Sequence, residues 1–377
     1  MNNQHDSSWR HAPLLGTLLL AVVFAACSAD HTGVGPAPEA GPVPIVFAVS
    51  SDVPQGSSVT RGELSNALSG DFGLLAAKYE ASDFGDGQPM NFMYNQMAIN
   101  SGHSFMTEEG FFVPSSQYNL KFFAYYPFYD DIRTGASPIE MSASDLSVYP
   151  YFAYTMPRNA EDQDDLMWAV SDQVSADAAN KLDTVRLQFH HLLTGLTIAA
   201  KSSEPGYIRR VTLTNLWSKA MFNYKTQRLT TYVDEEKTSV YSDLDLKLEA
   251  GTDFQRPYAW KSFLLLPQRN TDGTPALLST AELQVQFEAS GKIFTFTTSL
   301  EGLKEQLATP GKNILLRLSV TSLQRMSLSA TITGWENGAN YDGAVSDQPP
   351  IDLGTAISDW TDEAGNTTNI VTGPQPY

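Results

Sequence analysis

Val185-Arg186-Leu187-Gln188-Phe189-His190 reads apolar, polar, apolar, polar, apolar, polar. Side chains on a strand alternate between its two faces, so this period of two sends Val185, Leu187 and Phe189 to a core and the others toward water. The pattern recurs downstream. Leu283, Val285 and Phe287 alternate with Glu282, Gln284, Gln286 and Glu288, and Ile314, Leu316, Leu318 and Val320 alternate with Leu315, Arg317, Ser319 and Thr321. One apolar face and one polar face is what half-buried antiparallel strands show. Helical spacing is confined to Leu300, Leu303 and Leu307, in a short segment that stops at Pro310-Gly311. No strand–helix–strand rhythm accompanies these strands, which argues against a parallel doubly wound sheet. The expected fold class is all-β, arranged as sandwiches.

A chain of 377 residues has room for two domains of ordinary size. The apolar segment from Leu192 to Ala200 gives way to Lys201-Ser202-Ser203-Glu204-Pro205-Gly206, a polar stretch closed by a Pro-Gly turn signal. Strand pattern resumes at Ile208. The boundary is expected there, with an N-terminal β-sandwich over 45–203 and a C-terminal one over 204–377. Near the end, Ile332-Thr333-Gly334-Trp335 is echoed by Ile357-Ser358-Asp359-Trp360, as two related terminal strands would be.

Hydrophobic residues make up 42% of the chain and charged ones 18%, so a core can be buried. The net charge of −18 is spread without a basic stripe. Such a surface repels phosphate backbones, and no nucleic-acid partner is expected. The chain's one cysteine, Cys27, ends an apolar run. Arg10 and His11 precede Leu14–Phe24, which is followed by Ala25-Ala26-Cys27. A weakly basic start, a run too short to span a bilayer comfortably and small residues at its end describe a signal peptide over 1–26. The two alanines before Cys27 resemble the bacterial lipoprotein signal, in which the thiol is lipidated and the chain is cut just before it. Phe24 stands where an aliphatic residue is usual. Ser28 to Pro44, rich in Gly, Pro and Ala, reads as a flexible tether, so 27–44 is expected to be the lipidated linker.

Catalytic constellations do not emerge. There is no Gly-x-Ser-x-Gly elbow, His-Glu-x-x-His helix or Gly-Lys-Ser/Thr phosphate loop in the sequence. His190 and His191 are adjacent, so on a strand they point to opposite faces and do not readily chelate one ion. Glu161, Asp162, Asp164 and Asp165 are hard-cation ligand types, but they lack the spaced Asp-x-Asp-x-Asp-Gly loop and read as a solvated segment. No enzyme, cofactor or metal is expected. Phe122-Phe123-Ala124-Tyr125-Tyr126-Pro127-Phe128-Tyr129 offers rings that could stack on sugar faces, although alternation sends at least half of them into a core.

Several segments form an ordered set: Ile45-Val46-Phe47 leading to Val59-Thr60-Arg61, Phe92-Met93-Tyr94-Asn95, Leu120 to Pro127, and Asp165-Leu166-Met167-Trp168-Ala169. Leu187-Gln188-Phe189-His190-His191-Leu192-Leu193, Val211 to Leu216 and Phe263-Leu264-Leu265-Leu266-Pro267-Gln268 follow. In this order they resemble the fimbrillin (Mfa-like) family of Bacteroidetes surface proteins, the subunits of type V pili. The resemblance implies two tandem transthyretin-like sandwiches with Greek-key antiparallel sheets, in a lipidated precursor that moves from an outer-membrane anchor to a surface fimbrium. It implies that an arginine-specific protease removes the first strand, here between Arg61 and Gly62. It further implies that the groove so opened takes a strand from the C-terminal end of another fimbrial subunit, so that 204–377 would include a donor-strand region, whether in a stalk or a tip. The implied partners are those subunits, the membrane through the lipid, and a host or bacterial surface receptor. The alternative reading is a monomeric lipoprotein that binds glycans or host ligands.

Overall fold

The run Phe122-Phe123-Ala124-Tyr125 lies in a strand buried on both faces, and the rest of the architecture is arranged around it. The computed structural model describes residues 43–51, 68, 70–80, 83–85, 88–101, 104–107, 110–146, 148–177, 182–232, 237–254, 263–334, 350–361 and 367–368. In chain order the strands are β1 (Phe47–Ser51), β2 (Phe72–Tyr79), β3 (Met93–Asn100), β4 (Phe105–Thr107), β5 (Asn119–Tyr126), β6 (Ile139–Met141), β7 (Tyr151–Thr155), β8 (Met167–Val170), β9 (Val174–Ser175), β10 (Val185–His191) and β11 (Thr194–Ser202). They continue as β12 (Gly206–Trp217), β13 (Lys219–Asn223), β14 (Arg228–Thr231), β15 (Lys237–Leu248), β16 (Phe263–Leu265), β17 (Glu282–Ala289), β18 (Lys292–Ser299), β19 (Lys312–Ser322), β20 (Arg325–Gly334), β21 (Ile351–Thr361) and β22 (Thr367–Thr368). Among the described residues, helix is limited to short turns at Ala160–Asp162, Glu301–Leu303 and Lys304–Leu307. Leu300, Leu303 and Leu307 are fully buried there, as their spacing implies. The all-β expectation holds.

The described residues form three sheets. The first holds eight strands in the order β2-β3-β4-β1-β10-β8-β5-β9. Because β2 also pairs with β5, all of these but β9 close into a ring. Closure removes the unpaired edges that an open sheet would present. Phe72, Leu74, Phe105, Phe122, Leu187 and Phe189 fill the ring's interior together with residues of β1. The second sheet, of ten strands, runs β15-β12-β17-β18-β21-β20-β19-β11-β16, with β22 on β21. The third holds four, β14-β13-β7-β6.

The third sheet explains the aromatic run. Phe122 and Ala124 point into the ring, whereas Phe123 and Tyr125 point out of it into a second core. Rings from the four-stranded sheet meet them there. Phe123 and Tyr224 have ring centroids 5.4 Å apart, Trp168 and Phe222 5.2 Å, and the Tyr224 hydroxyl donates to the Ala124 carbonyl at 2.8 Å. Strands covered on both faces lose polar alternation, which is why β5 and β2 read as apolar runs. Gly73 is required by this packing. It pairs with Tyr125, and a Cβ at position 73 would overlap the Tyr125 ring.

Most pairings are antiparallel, with two exceptions. β1 runs parallel to β10 from Phe47↔Val185 to Ser51↔Phe189, and β11 runs parallel to β19 from Gly195↔Asn313 to Ser202↔Val320. The ring and β9 draw on Phe47 to His191, the ten-stranded sheet begins at Thr194, and the four-stranded sheet takes strands from both sides of that point.

Candidate assembly interface

Ile45, Phe47 and Val49 alternate inward from β1 and its lead-in, each 3% exposed or less. The Phe47 ring meets Phe122 edge-on at 5.2 Å and Phe72 at 6.4 Å. Phe72 in turn packs on Phe105 at 5.0 Å and on Phe189 at 5.2 Å. Burying one isoleucine, one phenylalanine and one valine contributes roughly 5–9 kcal/mol. The backbone is held on both sides. The Val46 carbonyl accepts from the Val185 amide at 2.9 Å, and the Ile45 amide donates to the Phe111 carbonyl at 3.1 Å. The Val113 amide donates to the Val43 carbonyl at 3.0 Å. On the β4 side the strand register is a single pair, Phe47↔Phe105, extended by a bridge between Pro44 and Phe112. β1 is therefore an inner stave of the ring, well paired to β10 and thinly paired to β4.

The outer strands β15, β16, β14 and β6 of the other two sheets are capped at a few positions each. On β15 the Tyr241 amide donates to the Arg158 carbonyl at 2.8 Å, and just past its end the Gly251 amide donates to the Ser202 carbonyl at 3.0 Å. Beside β16, Gln163 Oε1 accepts from the Leu264 amide at 2.7 Å, and Met156 Sδ from the Leu266 amide at 3.2 Å. Beside β14, Arg269 Nη2 donates to the Leu229 carbonyl at 3.1 Å and Thr231 Oγ1 to the Pro267 carbonyl at 2.8 Å. The Met141 amide of β6 donates to the Ile132 carbonyl at 2.8 Å. Satisfied edges resist the addition of a foreign strand.

The terminal strands are also engaged. β21 pairs with β20 from Ile351 to Ile357, then with β18 from Ser358 to Thr361, joining two halves of the ten-stranded sheet. Gly354, at φ +82°, lies where its register to β20 shifts, a conformation that favours glycine. Ala330 is fully buried in β20, which is paired on both sides.

Cys27, Arg61 and Gly62, the residues expected to carry lipidation and processing, lie outside the described residues, as does Trp335. The aromatic run is not a sugar platform, because Phe122, Phe123 and Tyr125 are fully buried. His190 and His191 do diverge. His190 stacks on Trp168 with centroids 4.9 Å apart, while His191 is buried with Nδ1 2.9 Å from Asp165 Oδ1. Asp164 accepts from the Tyr129 hydroxyl at 3.3 Å, so part of the acidic run is bound into the fold. Among the described residues, no three His, Cys, Asp or Glu side chains are grouped to hold a metal ion.

Sequence reasoning missed the buried amides. Gln163 and Gln268 are fully buried, and each bridges backbone groups of separate segments. Gln268 Oε1 accepts from the Trp217 amide at 2.8 Å, and its Nε2 donates to the Leu266 carbonyl at 2.8 Å. Asn95 holds a left-handed backbone at φ +52° inside β3. It accepts from the Tyr125 hydroxyl and donates to the Tyr129 carbonyl at 3.0 Å. Asparagine tolerates that conformation, and Tyr94-Asn95 was the only hint available.

A family model described as fimbrillin-like matches residues 67–335. This chain belongs to the fimbrillin-like family. Among solved structures, a fimbrial protein from Bacteroides vulgatus is similar at 16% identity and a TM-score of 0.55, over 77% of this chain and 99% of that one. A Bacteroides ovatus protein named for cell adhesion is similar at 15% identity and a TM-score of 0.52, over 80% and 100% respectively. At these identities the likeness is one of fold. No curated protein sequence matches the chain. The segments that resembled the fimbrillin family in sequence include the ring strands β5 and β8 and the ten-stranded sheet's β12 and β16.

Proposed function

We propose that this fimbrillin-like chain is a structural subunit of a surface fimbria, joined to its neighbour by exchange of the strand that fills the β1 slot. The carrying observation is that β1 is a short inner stave with its apolar residues in the ring and its backbone paired on both sides. Losing it would leave two strand edges unpaired and a trough lined by Phe72, Phe105, Phe122 and Phe189. A donor strand from another subunit satisfies both. In this reading the chain is exported as a lipoprotein, Cys27 carries the lipid, and a protease cuts after Arg61 to free β1. Its role is assembly at the cell surface and not catalysis, and a receptor is met by the assembled fimbria. The chain is read as two sandwiches, over 45–203 and 204–377, with β11 of the first pairing with β16 and β19 of the ten-stranded sheet.

Treating the purified full chain with an arginine-specific protease, followed by size analysis, tests the central step. With a partner subunit present, wild type should assemble into oligomers, and Arg61→Ala should remain monomeric. The same behaviour from both proteins would refute processing at Arg61. Cys27→Ser should lose fatty-acid labelling and leave the membrane fraction, and unchanged labelling would refute the anchor.

A further inference from the structure

We infer that the β1 slot selects its incoming strand by side-chain order: branched aliphatic, aromatic, branched aliphatic, small, at every second residue and parallel to β10. The inference rests on the strand-exchange reading above and names the chemistry of the partner. Four inward positions define the order. Ile45 and Val49, each 3% exposed, flank Phe47, which is fully buried. The central site is shaped for a ring, because Phe72 and Phe122 both stand nearly perpendicular to Phe47, at interplanar angles of 88° and 84°. Edge-to-face packing of this kind is specific to an aromatic occupant. The last site is small. Ser51 is buried and stands in register with Phe189, whose own ring is committed to Phe72. A bulky residue there would displace Phe189.

The chain's own terminal segments do not carry this order. In β20 the alternating set Met326, Leu328, Ala330 and Ile332 has no aromatic residue. In β21 Trp360 is flanked at two residues by Ser358 and Asp362, and the other set reads Ile351, Leu353, Thr355, Ile357, Asp359. Beyond Thr368 the sets are Asn369, Val371, Gly373 and Ile370, Thr372, Pro374. A polar residue placed where Ile45 or Val49 sits would be buried without a hydrogen-bond partner. The slot therefore fits a strand of a different sequence from β20, β21 and residues 369–374 of this chain.

The test uses the full chain, cut within 52–67 by the arginine-specific protease or at an inserted recognition site for another protease. A fluorescent peptide of residues Val43 to Ser51 reports exchange by anisotropy, and unlabelled peptides compete. The parent peptide and its Val46→Thr variant should compete within threefold of each other. A Phe47→Ala peptide should be at least about a hundredfold weaker, since removing a buried phenylalanine side chain is among the costliest truncations. A Ser51→Phe peptide and one covering Ile351 to Thr361 should be weaker by a similar factor. If Phe47→Ala or the Ile351–Thr361 peptide competes within threefold of the parent, side-chain order does not select the strand, although exchange itself stands. If the labelled parent peptide never enters the cut protein, both this inference and the exchange reading fail.

Discussion

β1 and β11 hold matching positions, and the chain treats them differently. Each is the first strand of its sheet, and each pairs in parallel with a strand far along the chain, β10 and β19 respectively. β11 is nine residues long and buried on both faces over most of its length, with Leu196, Ile198 and Ala200 in the shared core. It follows β10 after only Leu192 and Leu193, and β16 flanks its other side. β1 is five residues long, is buried on one face, and has a single strand-register pair to β4. β11 is thus held by both faces and both neighbours, and β1 by one face and one full ladder, the difference on which the strand-exchange proposal rests.

The largest effect should come from attacking the permanent strand. Ile198 is fully buried in β11. Ile198→Asp places a carboxylate where nothing compensates its lost hydration, and such burial costs several kcal/mol even after the group neutralises. The full chain should then fail to accumulate as folded protein by circular dichroism and proteolysis. Recovery of a protein with wild-type stability would show that β11 is no better anchored than β1.

The half-buried strands were legible because water marks one face. β10, β17 and β19 appear where Val185, Leu283 and Ile314 begin their alternation. β2, β5 and β8 were harder to read. With cores on both sides, Phe122 to Tyr125 lose the polar half of the period, so alternation places half of the rings in a core and leaves the four-stranded sheet that covers the other half unseen. β1 was visible as a strand, but its place inside a ring was not, because the parallel partner at Val185 lies far away in sequence. The buried amides of Gln163 and Gln268 leave no local pattern at all. Cys27 was legible by its place after a signal-like run and Arg61 only through the family resemblance, and both stand as proposals.

High pH should separate the two cores next. The core that holds β11 also holds Tyr79, Tyr125, Tyr154 and Tyr224, whereas the residues fully buried inside the ring with Phe47 include no tyrosine. Burial raises the Tyr79 hydroxyl to about 12, with Tyr149 and Asp83 adding to the effect, and burial likewise drives Tyr125, Tyr129, Tyr154 and Tyr224 upward. For an acid whose folded pKa is raised, the stabilisation is complete below the unfolded value near 10 and is lost as pH climbs through the folded one. Lys121, lowered by burial, works in the opposite direction, as a single group. Stability should hold to about pH 10 and fall steeply above it, with tyrosinate absorbance rising together with loss of β signal. Full ionisation of these tyrosines without unfolding would contradict their burial.

The smallest effect belongs to the outward side of β1, where the comparison can be made at matched chemistry. Ala48 stands opposite Arg186 in the parallel ladder and is directed away from the ring's interior, while Thr197 of β11 donates from Oγ1 to Asn313 Oδ1 at 3.1 Å. Ala48→Thr adds a β-branched side chain to a strand position whose inward neighbours are untouched. Such residues suit a pleated, half-exposed surface, so stability should change by no more than about 0.5 kcal/mol. Thr197→Ala removes the same group from the better-held strand and leaves Asn313 without that donor, a loss of roughly 1 kcal/mol. Urea unfolding of the two single variants and the double variant measures both terms. The sites lie on strands of different sheets and share no partner, so the effects should add to within about 0.5 kcal/mol. A larger cost at Ala48 than at Thr197 would mean that the outer face of β1 is also packed, and that the strand is held on both sides as β11 is.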